Sequence, residues 1–137
     1  MMTICDTGPL VAYLNRNDRY HAWAVALMKQ VAPPMLTSEP VLTEVAYFLR
    51  EDRLEVDPLF QLLERGALRL AFDMSAHWPR VRTLMARYDR MDLADASIVV
   101  MTELHTRCQV LTVNRKDFSV YRRNERQVID FVAPPKR

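Results

Sequence analysis

The sequence predicts an α/β domain in which short strands alternate with helices, giving three layers around a mainly parallel sheet. Two observations carry this. Short apolar runs (Thr3–Cys5, Met35–Thr37, Leu68–Phe72, Val110–Val113, Val128–Phe131) are separated by longer stretches with apolar residues at three- and four-residue spacing. Helical crossovers of that length join parallel strands and cover both faces of the sheet they form. A third observation bounds the size: 137 residues, 50% of them hydrophobic, suffice for one core and leave no room for a second domain.

The first strand, Thr3–Cys5, ends at Asp6, and Thr7-Gly8-Pro9 turns the chain into a helix over Pro9–Asn15 with Leu10, Val11, Tyr13 and Leu14 as its apolar set. Pro9 suits a first turn, where its missing N–H would have no intrahelical acceptor. Asp18 is expected to cap the next helix, whose apolar set is Trp23, Ala24, Leu27, Met28 and Val31, with Trp23 in the core or on a dimer face, and which stops at Pro33-Pro34. After the strand Met35–Thr37, Ser38 caps a helix to about Arg50, with Val41, Val45, Phe48 and Leu49 on one side. Asp57 is expected to cap a helix with Pro58 in its first turn, running through Leu59, Leu62 and Leu63 until Gly66 ends it. Following the strand Leu68–Phe72, Ser75 is expected to cap a helix with Trp78, Val81, Leu84 and Met85 inward, Trp78 alternatively on a dimer face. Asp92 starts a helix to about His105 with Ala96, Val99, Val100 and Leu104 apolar and Met101 in the core. Val110–Val113 is the fourth strand, Asp117–Tyr121 a turn or helical stub, and Val128–Phe131 the last strand. The domain is expected to span residues 1–132, with 133–137, ending Pro134-Pro135-Lys136-Arg137, as a frayed tail.

Composition excludes several function classes. Two glycines leave no Gly-rich phosphate loop, which argues against P-loop and dinucleotide-binding readings. A net charge of +2 predicts neither nucleic-acid nor membrane binding in bulk. Among 19 basic residues only Lys29, Lys116 and Lys136 are lysines, and arginine suits bidentate phosphate contacts. Cys5 and Cys108 form no CxxC pattern, and unpaired thiols without a signal sequence fit a reducing cytoplasm. No apolar run approaches the ~20 residues of a membrane span, so the expectation is a soluble cytoplasmic protein.

Acidic and amide residues sit where elements begin or end, and each has a plain explanation. Asp6 can order the turn after the first strand; Asp92 and Asp95, three apart, can be the N-cap and the N3 acid of one helix. Glu44 can face solvent, Asn114 can be a turn residue, and Asp117 can cap the stub that follows. Together they point elsewhere. In an open α/β sheet the carboxyl ends of the strands and the N-termini of the crossover helices share one edge, where ligands bind. Carboxylates gathered there raise one another's pKa unless a cation lies between them. Mg²⁺ or Mn²⁺ prefers such oxygen ligands and can activate water for attack on phosphate. Thr112, Thr7 and Ser38 offer hydroxyls to orient waters or phosphate oxygens.

The motifs Ile4-Cys5-Asp6-Thr7-Gly8-Pro9-Leu10, Ser38 with Glu44, Asp92-Leu93-Ala94-Asp95-Ala96-Ser97 and Leu111-Thr112-Val113-Asn114-Arg115-Lys116-Asp117-Phe118, in that order and spacing, resemble those of PIN-domain proteins. The resemblance is specifically to the VapC-like toxins of prokaryotic toxin–antitoxin pairs, and it covers nearly the whole chain. It implies a PIN-like α/β/α fold and a ribonuclease dependent on Mg²⁺ (Mn²⁺ as substitute). It further implies a homodimer silenced by a cognate antitoxin whose basic side chain enters the acidic pocket. By that likeness Asp6 and Asp95 are the main metal ligands, Glu44 completes the catalytic triad of acids as ligand or as base for the attacking water, and Asp92 is an auxiliary ligand or supports the ligands from behind. The family often carries Asp where this chain has Asn114; Asn is a poor ligand for a second metal, and Asp117 can partly substitute.

Arg115, Lys116, Arg122 and Arg123 flank the Asn114 loop and can guide an RNA backbone, or form a solvated basic face. His21, His77 and His105 fall in separate helices without the close spacing of zinc ligands. Two alternatives to an RNA hydrolase stay open: a nuclease or phosphohydrolase acting on another substrate, and a silent PIN-like module that only binds RNA or protein.

Overall fold

A computed structural model describes residues 1–136. Five strands form one sheet: β1 (Met2–Cys5), β2 (Met35–Thr37), β3 (Leu68–Leu70), β4 (Cys108–Leu111) and β7 (Phe131–Val132), in the order β3-β2-β1-β4-β7. Every pairing is parallel. The helices are α1 (Thr7–Leu14), α2 (His21–Gln30), α3 (Glu39–Glu51), α4 (Asp57–Glu64), α5 (Met74–Arg87), α6 (Leu93–Leu104) and α7 (Arg115–Val120). They make the crossovers, so the fold is the three-layered α/β/α arrangement expected. Among the described residues no helix is long and apolar enough to cross a membrane.

The central strands are apolar because both faces are covered: Ile4, Leu36, Val110 and Leu111 are fully buried. α6 is the most deeply set helix, with every residue from Ala94 to Thr102 buried, and it packs against α5, α3 and the strands β1 and β4. Its small residues Ala94, Ala96 and Ser97 bring the helix start close to the sheet, and Ser38 Oγ meets Ser97 Oγ at 2.7 Å across that contact. Gly8 serves a second close approach, since a Cβ there would collide with the side chain of Val113.

Several local expectations need correction. Phe48, Trp78 and Leu104 are exposed. The buried stripe of α3 is Val41, Val45 and Leu49, and Phe48 lies one position round from it beside Tyr47. In α5 the inward line runs through His77, Val81 and Leu84, with His77 against Phe72 at 5.8 Å between ring centroids; Trp78 points off that line. α5 is capped by Asp73, whose side chain accepts from Ser75 N, so Ser75 is inside the helix. Asp18 does not cap α2 but accepts from Tyr20 N in a turn just before it. The helix after Val56 begins at Asp57 itself, and Gly66 at φ +76° follows its end.

The expected last strand is two. Gln127–Val128 (β6) pairs antiparallel with Arg122–Arg123 (β5), while Phe131–Val132 joins the main sheet beside β4. Asn124 and Glu125, both at positive φ, turn the hairpin. The turn is pinned where Glu125 bridges Arg80 and Arg87 at 2.6 and 2.7 Å. Beyond β7, Pro134 is buried and its carbonyl accepts from Arg115 Nη2 at 3.1 Å, so the segment expected to fray is held there. Arg137 lies outside the described residues.

Candidate active site

The register of the sheet brings the site together. Cys5 is level with Leu111 in the β1–β4 pair, so Asp6 and Thr112, the next residues on each strand, emerge side by side at the carboxyl edge. Thr112 Oγ1 donates to Asp6 Oδ2 at 2.8 Å, and Asp6 N donates to Leu111 O at 2.9 Å. The Asp6 carboxylate is therefore oriented by a buried hydroxyl while remaining 6% exposed toward a cleft.

Ser38 ends the neighbouring strand and caps α3 by accepting from Val41 N at 3.3 Å. It is fully buried, so its hydroxyl anchors α3 against α6 and is out of reach of a substrate phosphate. Glu44 comes back to the edge from further along α3, where its Oε1 accepts from Thr7 Oγ1 at 2.7 Å. α6 delivers Asp92 and Asp95. Asp92 is the N-cap, accepting from Asp95 N at 2.8 Å, so the capping role and a position in the cleft belong to the same residue. Asp95 Oδ2 accepts from Tyr121 Oη at 2.8 Å. Asp6, Glu44, Asp92 and Asp95 thus reach one cleft of about 480 Å³ from the end of β1, α3 and the start of α6. Past Glu44 and Asp92 the cleft continues into a larger hollow of about 800 Å³ over Pro40, Phe72, Met74 and Met85.

Asn114 and Asp117 form a reciprocal cap at the start of α7. Asn114 Oδ1 accepts from Asp117 N at 3.2 Å and Asn114 Nδ2 donates to Asp117 Oδ2 at 2.7 Å. Arg90 Nε donates to the other oxygen of Asp117 at 2.9 Å. With both oxygens engaged and a guanidinium beside it, Asp117 is not free to stand in for the missing acid at position 114.

The electrostatics separate these acids into two groups. Burial first, then repulsion from Asp6 and Asp92, pushes the Asp95 carboxyl up to about 7. Burial also raises Asp6 and Glu44, with Asp92 adding repulsion to both, while hydroxyl bonds from Thr112 and Thr7 oppose it. Asp117 differs: burial pushes it up, but the bonds from Asn114 and Arg90 outweigh that and hold it below the usual range. The cleft therefore carries charge repulsion on the Asp6–Asp95 side and a neutralised pair on the Asn114 side. Among the described residues no three His, Cys, Asp or Glu side chains converge tightly enough to enclose an ion. The donor set suits a hard cation that keeps most of its waters and takes one or two carboxylates directly, the habit of Mg²⁺.

Of the expected basic guides, two are committed elsewhere. Arg122 Nη1 donates to the carbonyls of Ser119, Val120 and Tyr121 at the end of α7. Arg123 donates to carbonyls at the end of α6, including His105 O at 2.9 Å. Both close helix C-termini, where unpaired carbonyls attract cations. Arg115 holds Pro134 and lies over Phe131; Lys116 is exposed. The cations that line the cleft are Arg19 and Arg90. Neither these nor Tyr121 follow from the motifs. Tyr121 carried one signal, since a Tyr in an apolar setting needs a partner for its hydroxyl; Arg90 carried only its position two residues before Asp92.

Comparison with known proteins follows the same geometry. The PIN domain matches residues 3–124. Ribonuclease VapC26 of Mycobacterium tuberculosis is 28% identical over 124 residues, 87% of this chain and 91% of that protein. The crystal structure of VapC20 of Mycobacterium tuberculosis, a sarcin–ricin loop cleaving toxin, superposes with a TM-score of 0.69 at 18% identity, covering 79% of this chain and 86% of that one. A toxin–antitoxin complex from Klebsiella pneumoniae gives 0.64 at 22% identity, over 88% and 92% of the two chains. A match over that span, on a fold and motif order already traced, leads to one conclusion: the chain belongs to the PIN domain family.

Proposed function

We propose that this protein is an endoribonuclease, the toxin of a toxin–antitoxin pair, that hydrolyses RNA phosphodiester bonds with Mg²⁺ or Mn²⁺. The observation that carries the reading is the meeting of Asp6, Glu44, Asp92 and Asp95 in one cleft, where three of them are raised by burial and mutual repulsion. A divalent cation relieves that repulsion, which is why the donor set fits one. The names of the relatives VapC26 and VapC20 support ribonuclease chemistry. The hollow that prolongs the cleft suits a polymer better than a small phosphate ester.

Asp6 and Asp95 would hold the cation, with Asp92 close by. Once bound, the ion would make a coordinated water more acidic and supply positive charge to offset that on the phosphate. Thr112 and Tyr121 keep the Asp6 and Asp95 carboxylates from rotating. Glu44, steadied by Thr7, accepts a proton from the attacking water. Asn114 is a structural cap and no ligand.

The proposed partners are RNA, an antitoxin whose basic side chain neutralises the cleft, and a second copy of the chain; the toxin–antitoxin complex among similar folds supports the second. A cytoplasmic setting suits the free thiols of Cys5 and Cys108. The test is cleavage of total RNA and of single-stranded DNA by purified protein in Mg²⁺, Mn²⁺ or EDTA, beside Asp6→Asn. Metal-dependent cutting of RNA alone, lost in the variant, supports the reading. Preference for DNA would move the substrate, and metal-independent or Asp6-independent cutting would sink it.

A further inference from the structure

We propose that Arg90 is the substrate-positioning cation of this cleft, its guanidinium fixed along one edge by Asp117 so that the free edge grips a phosphate oxygen of the entering RNA strand. This rests on the ribonuclease reading and specifies how the strand is held.

An RNA backbone approaching four carboxylates is repelled unless a positive group meets it from the side. Arg90 lines the same cleft as those carboxylates. Its Nε is tied to Asp117 Oδ1 at 2.9 Å, and Asp117 is tied in turn to Asn114 at 2.7 Å. Among the described residues Arg90 makes no other hydrogen bond, and its side chain is 68% exposed while that of Asp117 is 9% exposed. A buried carboxylate thus orients an open guanidinium and leaves Nη1 and Nη2 available. A planar fork held in this way loses less freedom on meeting a phosphate, which it can engage with two N–H groups.

The other cations near the site lack this arrangement. Arg122 and Arg123 are spent on helix carbonyls, and Arg115 on Pro134. Arg19 also lines the cleft but rests on the Tyr20 ring at 4.7 Å without a carboxylate anchor. The arrangement also gives position 114 a purpose. Asn114 donates to Asp117 through Nδ2, which an aspartate could not do, so the amide completes the anchor of Arg90. With its guanidinium largely in solvent, Arg90 contributes little to stability, so the pair is better explained by orientation than by folding.

The experiment measures binding of a fluorescein-labelled, mixed-sequence single-stranded RNA by anisotropy across a NaCl series in EDTA, together with Mn²⁺-dependent cleavage and melting temperature. The variants are Arg90→Ala, Arg90→Lys, Asp117→Asn and, as a surface control, Arg82→Ala. Arg90→Ala is expected to weaken binding about tenfold and to reduce the log–log salt slope by about 0.7, the share of one phosphate contact on a single strand. Its melting temperature stays at the wild-type value. Arg90→Lys restores the slope but not the full affinity, and Asp117→Asn keeps the slope with reduced affinity because the charge remains but is no longer oriented. Wild-type slope and affinity in Arg90→Ala overturns the proposal and leaves the ribonuclease reading standing. Wild-type protein that neither binds nor cuts RNA overturns both.

Discussion

Replacing Asp95 with Asn should make the protein more stable in the absence of metal, by an amount that depends on pH. Asp95 is nearly buried, at 8% exposure, faces Asp6 and Asp92, and has its carboxyl raised from 3.8 to about 7. A shift of that size corresponds to about 4 kcal/mol at most; the partial access of water through the cleft reduces it to roughly 2 kcal/mol. The sign follows from proton binding. The folded state holds the Asp95 proton more tightly than the unfolded chain does, so this group favours folding below about pH 4. That advantage is lost as pH rises to about 7. Asn is nearly isosteric and can still accept the Tyr121 hydroxyl, so the variant removes charge without opening a cavity. Thermal unfolding in EDTA at pH 8 should show Asp95→Asn melting about 8 °C above wild type, from about 4 °C per kcal/mol for a domain of this size. At pH 5 the gap should be smaller, because more of the folded wild-type carboxyl is then protonated. A variant no more stable than wild type at pH 8, or a gap that ignores pH, would refute the electrostatic account.

Gly8→Ala forces a Cβ into Val113 and should cost about 1–3 kcal/mol, read as a lower urea midpoint with unchanged slope. Tyr121→Phe leaves Asp95 without its 2.8 Å donor; isothermal titration should show weaker Mn²⁺ binding while the melting temperature falls by only a few degrees. Arg123→Ala uncaps the carbonyls at the end of α6 and should lower stability by about 1.5–3 kcal/mol in urea unfolding, with the salt dependence of RNA binding unchanged.

Most of what positions the site was legible in the sequence. The parallel, three-layered arrangement could be anticipated because each short apolar run was followed by a helix-length crossover, and the capping signals at Ser38 and Asp92 marked the starts of α3 and α6. Asp6, Asp92 and Asp95 were identifiable because chain direction puts strand ends and helix starts on one edge, and Glu44 because it lies only about one turn into α3 from that edge. What could not be read were features decided across the fold. Arg122 and Arg123 looked like RNA guides because sequence gives their charge but not the carbonyls at the ends of α6 and α7 that capture it. Arg90 and Tyr121 stood outside the motifs, and their roles arise from Asp117 and Asp95, residues 27 and 26 positions away. Phe48 and Trp78 misled because an apolar residue one step off a helical stripe has the same composition as one on it. The hairpin of β5 and β6 was missed because its turn uses Asn124 and Glu125 at positive φ, a conformation that Glu rarely adopts.

The central claim, that the acidic cleft is a metal-dependent nuclease site, is met most directly by one titration. Mn²⁺ is added to purified protein, bound ion is measured by electron paramagnetic resonance, and RNA cleavage rate is measured on the same samples for wild type, Asp6→Asn and Asp95→Asn. The account predicts that rate rises in step with occupancy in wild type, and that both variants lose binding and cutting together. Undiminished Mn²⁺ binding in the two variants, or cutting that proceeds without it, would contradict the account.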